Sequence, residues 1–447
     1  MKMNYFGIVF ALLLGSMVSS PATQEGRDLP ETPHPEPVRG PAPDNMPVKG
    51  ALPGQSGVPK ALLGPIAPAG AQPTGALSGR IVFTSGGHGL AWDGASWTTG
   101  RGVNWEMVED YGNVDQMSMF AYYCFNAGAT VVAMRPIGNQ TNEVVLDNVD
   151  PEVTFQGAWA DSVFTNYYGN AGDVPYRFTS VAATETATAT YVPNIPVAGF
   201  YPVYTWVWHS TNRTSQLYRV RHTGGESQVR VPHYLVGGGW VYLGTYYFAA
   251  GSDAARGAVV ISNLAPSPGV GSAVIADAIR FGNGMGSIAR GGGVSGHPRE
   301  HECARYWIQS SLGRGSPTWI YDDPSLIDSD DNVSAPIRMA REMNEEAAGN
   351  FYQRIYIGFH SNASGLGTNS SARGDIGLYN NDNLFPGTAT SNQFRLAEII
   401  ATNVNNALKR ITVPPFEVPW LNNRSSLTYA RTDFAFGEIR GDRLGYE

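Results

Sequence analysis

The sequence predicts an α/β fold: a twisted, mostly parallel sheet flanked by helices and interrupted by an inserted all-β sandwich. Three observations carry that expectation. Two apolar runs, Ile81-Val-Phe-Thr-Ser and Ile355-Tyr-Ile-Gly-Phe, each lead into a histidine among small residues, as strands buried on both faces do where they end in a loop. After the first run, apolar residues at Val114, Met117, Ala121, Tyr122 and Phe125 recur at helical spacing, Gly128 follows as a stop, and Ala129 to Met134 reads as another buried strand. From about Asp147 the helical period gives way to short alternating runs rich in Thr, Val, Tyr and Trp, and helical patterns resume after Gly282.

Taken in order, residues 1–22 have the layout of a secretory signal peptide, with Lys2, an apolar run from Phe6 to Leu14 and then small residues. That run is too short to be a permanent anchor, so the mature protein is expected to be secreted or periplasmic, with no membrane span. Residues 23–79 are dense in proline and poor in large apolar side chains; they cannot build a core and are expected to be an extended linker, folded structure beginning near Arg80. Residues 80–146 form the first part of the α/β domain, a strand, helix, strand unit whose crossover is right-handed. Residues 147–283 are the sandwich. Residues 284–447 are the second part of the α/β domain, with helices over 299–312, 335–348 and 392–410 and a strand over 354–359.

Composition narrows the function. At 447 residues the chain exceeds one core's usual size. Charged residues are only 15% and the formal net charge is -8; with no basic stripe, nucleic acid is excluded as a partner. Cys124 and Cys303 are the only cysteines, so no tetrathiolate zinc site is available, and both read as buried structural thiols with their pairing left open.

The chemistry gathers on three residues. His88 and His360 each follow a buried strand at the carboxyl edge of one sheet, where ligands of open α/β sheets sit. Glu109 opens the intervening helix and aims at the same edge; Asp110 is its immediate rival, but Asn113, one turn on, favours Glu109. A His, Glu, His set with one open position is a catalytic zinc arrangement rather than a closed structural one. Other candidates weigh less. His301-Glu302-Cys-Ala-Arg305 starts like a metalloprotease helix but has Arg305 in place of its second histidine. His209, His222 and His233 read as polar surface or loop residues, Trp206, Trp208, Tyr242 and Tyr246 as core rather than a sugar platform, and Arg135 as a surface residue at a strand end rather than a substrate clamp.

The order Gly87-His88-Gly89, Glu109 with Asn113, and His360-Ser-Asn362 resembles the zinc-dependent N-acetylmuramoyl-L-alanine amidases, over about residues 80–140 and 285–447. The resemblance implies Zn2+ held by His88, Glu109 and His360, and hydrolysis of the MurNAc-L-Ala amide bond of peptidoglycan. The family's general-base glutamate lies on a late strand for which no segment is found here; the base is expected beyond Glu447 in a truncated chain, with Glu438 as the fallback within it. Tyr218-Arg-Val-Arg-His-Thr-Gly-Gly-Glu-Ser-Gln-Val-Arg-Val, Gly239-Trp-Val-Tyr-Leu-Gly-Thr and Val274-Ile-Ala-Asp-Ala-Ile-Arg-Phe resemble the golvesin carboxy-terminal-like module found in proteins labelled xanthan lyase. That implies a sandwich with a glycan-contacting role and no lyase chemistry. The expected partner is peptidoglycan or another cell-surface polysaccharide. The alternative function is a non-catalytic wall- or polysaccharide-binding protein on an amidase-like core.

Overall fold

The computed structural model describes residues 7–14, 69–99, 109–324, 326–345, 354–363, 375–380, 391–409 and 429–430. Their secondary structure corrects the expected fold class: the fold is β-rich, with four α-helices among the described residues, and its main sheet is mixed rather than mostly parallel. The physical reason is that the inserted strands do not close into a body of their own. Thr130–Ala133 pairs antiparallel with Gly239–Phe248 through Val131 and Tyr242, so one sheet of the sandwich continues the sheet that carries the histidine loops.

That shared sheet has ten strands. On one side Arg354–Ala363, Ile81–Gly86 and Thr130–Ala133 run parallel, with Glu109–Asn126 as the helix between the last two. On the other, Gly239–Phe248, Gly199–Val207, Ile279–Gly282 and Glu143–Leu146 are all antiparallel. Gly7–Leu14, within the apolar run of the expected signal peptide, lies between Arg354–Ala363 and Asp375–Tyr379.

A second sheet of six strands, including Ser215–His222, Gly225–Pro232 and Ala258–Ser262, packs across the antiparallel half. Burial alternates along Gly225–Pro232, the signature of a sheet with one wet face. Gly239–Phe248, in contrast, is buried at nearly every position, because its far face is covered too. Trp206 Nε1 donates to Ser311 O at 2.9 Å, and a Cβ at Gly239 would meet Met339 Cε at 2.5 Å. Arg280 lies between Trp240 and Trp307, its guanidinium carbon 4.8 and 5.0 Å from the two rings, and it pairs with Glu143. One core cluster therefore runs from Phe83 and Val132 through Trp206 and Val241 to Val231 and Ile261.

Several boundaries differ from expectation. The expected linker is anchored at its end: Gly70–Ala71 pairs with Ser227 and Gln228, and Gln72 Nε2 donates to Phe125 O and Ala129 O at 3.0 and 2.9 Å. The helix expected over 299–312 is Ala304–Ser311, so His301 and Glu302 precede it. The next is Asp328–Met343 rather than 335–348, carrying Pro336 inside. The strand expected over 354–359 continues to Ala363 and includes His360.

Candidate metal site at the sheet edge

The strand Ile81–Gly86 is buried throughout and releases the chain into Gly87-His88-Gly89. His88 sits at φ 62°, the left-handed region that a residue with a Cβ adopts only when its surroundings hold it there. The holding groups are visible. Gly87 N–H donates to Phe359 O at 2.7 Å, and Gly89 N–H donates to Asp110 Oδ1 at 2.6 Å. Asp110 is fully buried, so it ties the loop to the first turn of the helix while its neighbour Glu109 faces the histidines.

Arg135 completes the support and corrects its reading as a surface residue. It is 0% exposed; Nη1 donates to Gly86 O, Gly87 O and Asp110 O at 3.2, 3.4 and 3.0 Å, and Nη2 to Glu300 O at 2.6 Å. A planar guanidinium suits such a cluster of carbonyls. Desolvation pulls its pKa down, with Asp110 opposing.

The three residues singled out by the sequence come together. Glu109 Oε1 lies 3.5 Å from His88 Nε2 and 3.5 Å from His360 Nδ1, and one ligand atom from each residue falls within 4.8 Å of the others. The rings meet edge to face with centroids 4.9 Å apart. Zinc with bonds of about 2.0–2.1 Å sets tetrahedral neighbours about 3.3–3.4 Å apart, so the two spacings from Glu109 to the histidines and the imidazole and carboxylate chemistry fit that ion. The Glu109 carboxylate is held by Ser361 N–H at 3.0 Å and Asn113 Nδ2 at 3.2 Å, both on Oε1, the supporting contacts that orient a metal ligand. Gly87 is needed for space: a Cβ there would sit 2.1 Å from His360 Cε1.

Glu438, the expected fallback base, lies outside the described residues. His301 is buried beside Tyr111, ring centroids 4.5 Å apart, and is not one of the three residues whose donor atoms converge. Glu302 accepts from Ser295 Oγ at 2.6 Å and burial pushes it up to about 7. Cys124 and Cys303 are buried free thiols, raised to about 12 by burial. His222 and His233 are buried rather than on the surface, and so are Trp206, Tyr242 and Tyr246, the last three as expected. The roles of Asp110, Arg135 and Gly87 were missed by the sequence reading; the single available signal was the glycine before His88. Among the described residues, no helix is long and apolar enough to cross a membrane.

Comparison with known proteins bears on the inserted segment. Residues 144–283 match the Golvesin C-terminal domain family. A stretch of 141 residues is 36% identical to a xanthan lyase of Bacillus sp. (strain GL1), covering 31% of this chain and 14% of that protein. The solved Paenibacillus xanthan lyase shares 31% identity over 32% of this chain and 13% of its own, with a TM-score of 0.26. A Paenibacillus cycloisomaltooligosaccharide glucanotransferase is 10% identical, covering 53% of this chain and 31% of its own, with a TM-score of 0.24.

Proposed function

We propose that this is a polysaccharide-associated protein whose sheet edge binds zinc and hydrolyses an amide bond of peptidoglycan, the one between the muramoyl lactyl group and L-alanine. The observation that carries the metal is the convergence of His88, Glu109 and His360 from three separate elements. The polysaccharide rests on the golvesin-type segment and its xanthan lyase relative. The amide rests on the resemblance of the three motifs to the amidases.

In this reading His88, Glu109 and His360 hold the ion, Ser361 N–H and Asn113 fix the carboxylate, and Asp110 and Arg135 hold the loop in its strained shape. Zinc bound there supplies Lewis acidity, lowering the pKa of a water and polarising the substrate carbonyl. The donor side chains are 15%, 8% and 17% exposed, so the three groups lie just beneath the surface at the sheet edge.

A second reading, a non-catalytic polysaccharide-binding protein, is favoured by the golvesin-type match itself. The purified chain decides between the two by zinc content and by release of peptides from peptidoglycan sacculi, with His360→Ala as control. Stoichiometric zinc and zinc-dependent release, both lost in His360→Ala, support the hydrolase. Co-sedimentation with sacculi without release supports the binding protein, and absence of zinc from the native chain removes the metal reading.

A further inference from the structure

The golvesin-type segment holds a second buried polar centre, far in sequence from the histidine loops. Asp277 follows the strand Ala273–Ala276 and is 2% exposed; Asp147 follows Glu143–Leu146 and is 9% exposed. Both meet the same short stretch, Tyr168–Gly169. Tyr168 N–H donates to Asp277 Oδ2 at 3.3 Å, and Asp147 Oδ2 lies against Gly169, where a Cβ would meet it at 2.5 Å.

These carboxylates then run out of donors. Asp147 Oδ1 accepts from Asn148 N–H at 2.8 Å, but Asp147 Oδ2, Asp277 Oδ1 and Asn148 Oδ1 are buried oxygens with no hydrogen-bond partner. Asn148 is 1% exposed and donates through Nδ2 to Val174 O at 3.0 Å, so its oxygen is left as an acceptor alone. A buried carboxylate oxygen left without a donor is costly, even though backbone N–H groups of Tyr168 and Ala278 act on Asp277. The charged groups acting on the pair are acids as well: Asp147 on Asp277, and Asp150 and Asp173 on Asp147.

Unpaired carboxylate and amide oxygens in acidic surroundings, with neither sulfur nor imidazole among them, match the ligand chemistry of a hard divalent cation. We propose that Asp147, Asp277 and Asn148 supply side-chain oxygens to a calcium site in the golvesin-type domain. The ion ties together three segments that meet there, the turn after Leu146, the Tyr168–Gly169 stretch and the end of the strand at Ala276. The rival arrangement is a pair of protonated acids, since burial pushes Asp147 up to about 7 and Asp277 well above its usual range. The rivals predict opposite responses to removing the charge.

The experiment is equilibrium dialysis of the full chain against radioactive calcium in metal-scrubbed buffer, with a thermal melt in parallel. One calcium per chain, bound with a Kd of about 10⁻³ M or tighter, and a higher Tm with calcium are expected. Asp147→Asn and Asp277→Asn should each lose the binding and the Tm response while retaining the wild-type zinc content. No binding by the native chain at millimolar calcium overturns the proposal. So does an Asp→Asn variant that is more stable than the native chain in calcium-free buffer with its calcium binding intact, the result expected of protonated acids. If Asp277→Asn does not fold, the native titration and Asp147→Asn decide.

Discussion

The parallel half of the large sheet and the layered sandwich treat polar side chains in opposite ways. In the parallel half, Ile81–Gly86 and Arg354–Ala363 run side by side in the same direction, so His88 and His360 emerge at one edge and the helix between the strands delivers Glu109 there. In the sandwich, where the antiparallel half of the large sheet packs against the second sheet, polar groups turn inward to serve packing. Tyr218 OH, fully buried, receives Thr205 Oγ1 at 3.1 Å and Gln216 Nε2 at 2.7 Å, and meets His233 Nε2 at 2.8 Å. Burial holds His233 down at about 3, neutral throughout the physiological range. The lesson is one of direction: the parallel strands gather ionisable groups at a common edge, and the antiparallel strands of the sandwich consume theirs between the layers.

The sharpest way to break this comparison is to remove one histidine from each region. His88→Ala or His360→Ala should abolish stoichiometric zinc by metal analysis. His233→Ala should leave zinc unchanged and cost about 1–3 kcal/mol in denaturant unfolding, because Tyr218 loses a buried partner. Zinc lost equally in both sets of variants would erase the distinction.

Arg135→Ala tests whether the accessible edge depends on a buried support. Removing a guanidinium that satisfies four carbonyls should cost about 3–5 kcal/mol, read as a lower denaturation midpoint. A milder probe is Asn113→Ala, which frees one constraint on Glu109. Zinc affinity should fall about 10–100-fold with little change in the melt; equal affinity would mean that Ser361 N–H alone holds the carboxylate.

The smallest effect is in pH. Asp147 and Asp277 have folded pKa values raised above their ordinary ones, so the protonated forms favour the fold. Their contribution is fully present below the ordinary carboxylate range and is lost as pH rises through about 7 for Asp147. In calcium-free buffer the Tm should fall between about pH 5 and pH 8, and less so in Asp277→Asn. Glu302 and Asp375 are shifted up to about 7 in the same direction, so part of the slope persists in that variant.

The candidate site was legible in the sequence because its parts are local. A buried run followed by Gly-His-Gly, and an acid with an amide one turn later, specify strand end and helix start without knowledge of the rest. The register between Val131 and Tyr242 has no such signature, since any apolar strand edge can accept another, and that one pairing turned a separate sandwich into an extension of the main sheet. Arg135 was misread for a related reason: the carbonyls that receive it come from residues 86, 87, 110 and 300, which are neighbours only in space. His301-Glu302 imitated a helical motif, yet the helix starts at Ala304.

The continuous sheet also restricts how this protein can be rebuilt by recombination. A module attached at a chain end can be traded for an unrelated one, because nothing but a tether must match. Here a substitute would have to present an antiparallel edge beside Val131, a side chain able to occupy the place of Arg280 between Trp240 and Trp307, and an indole donor for Ser311 O. A sandwich lacking them would leave Trp307 and Ile308 facing water. The inserted segment and its host are therefore matched at this seam, and the residues that meet there are expected to vary together while the outer loops vary independently.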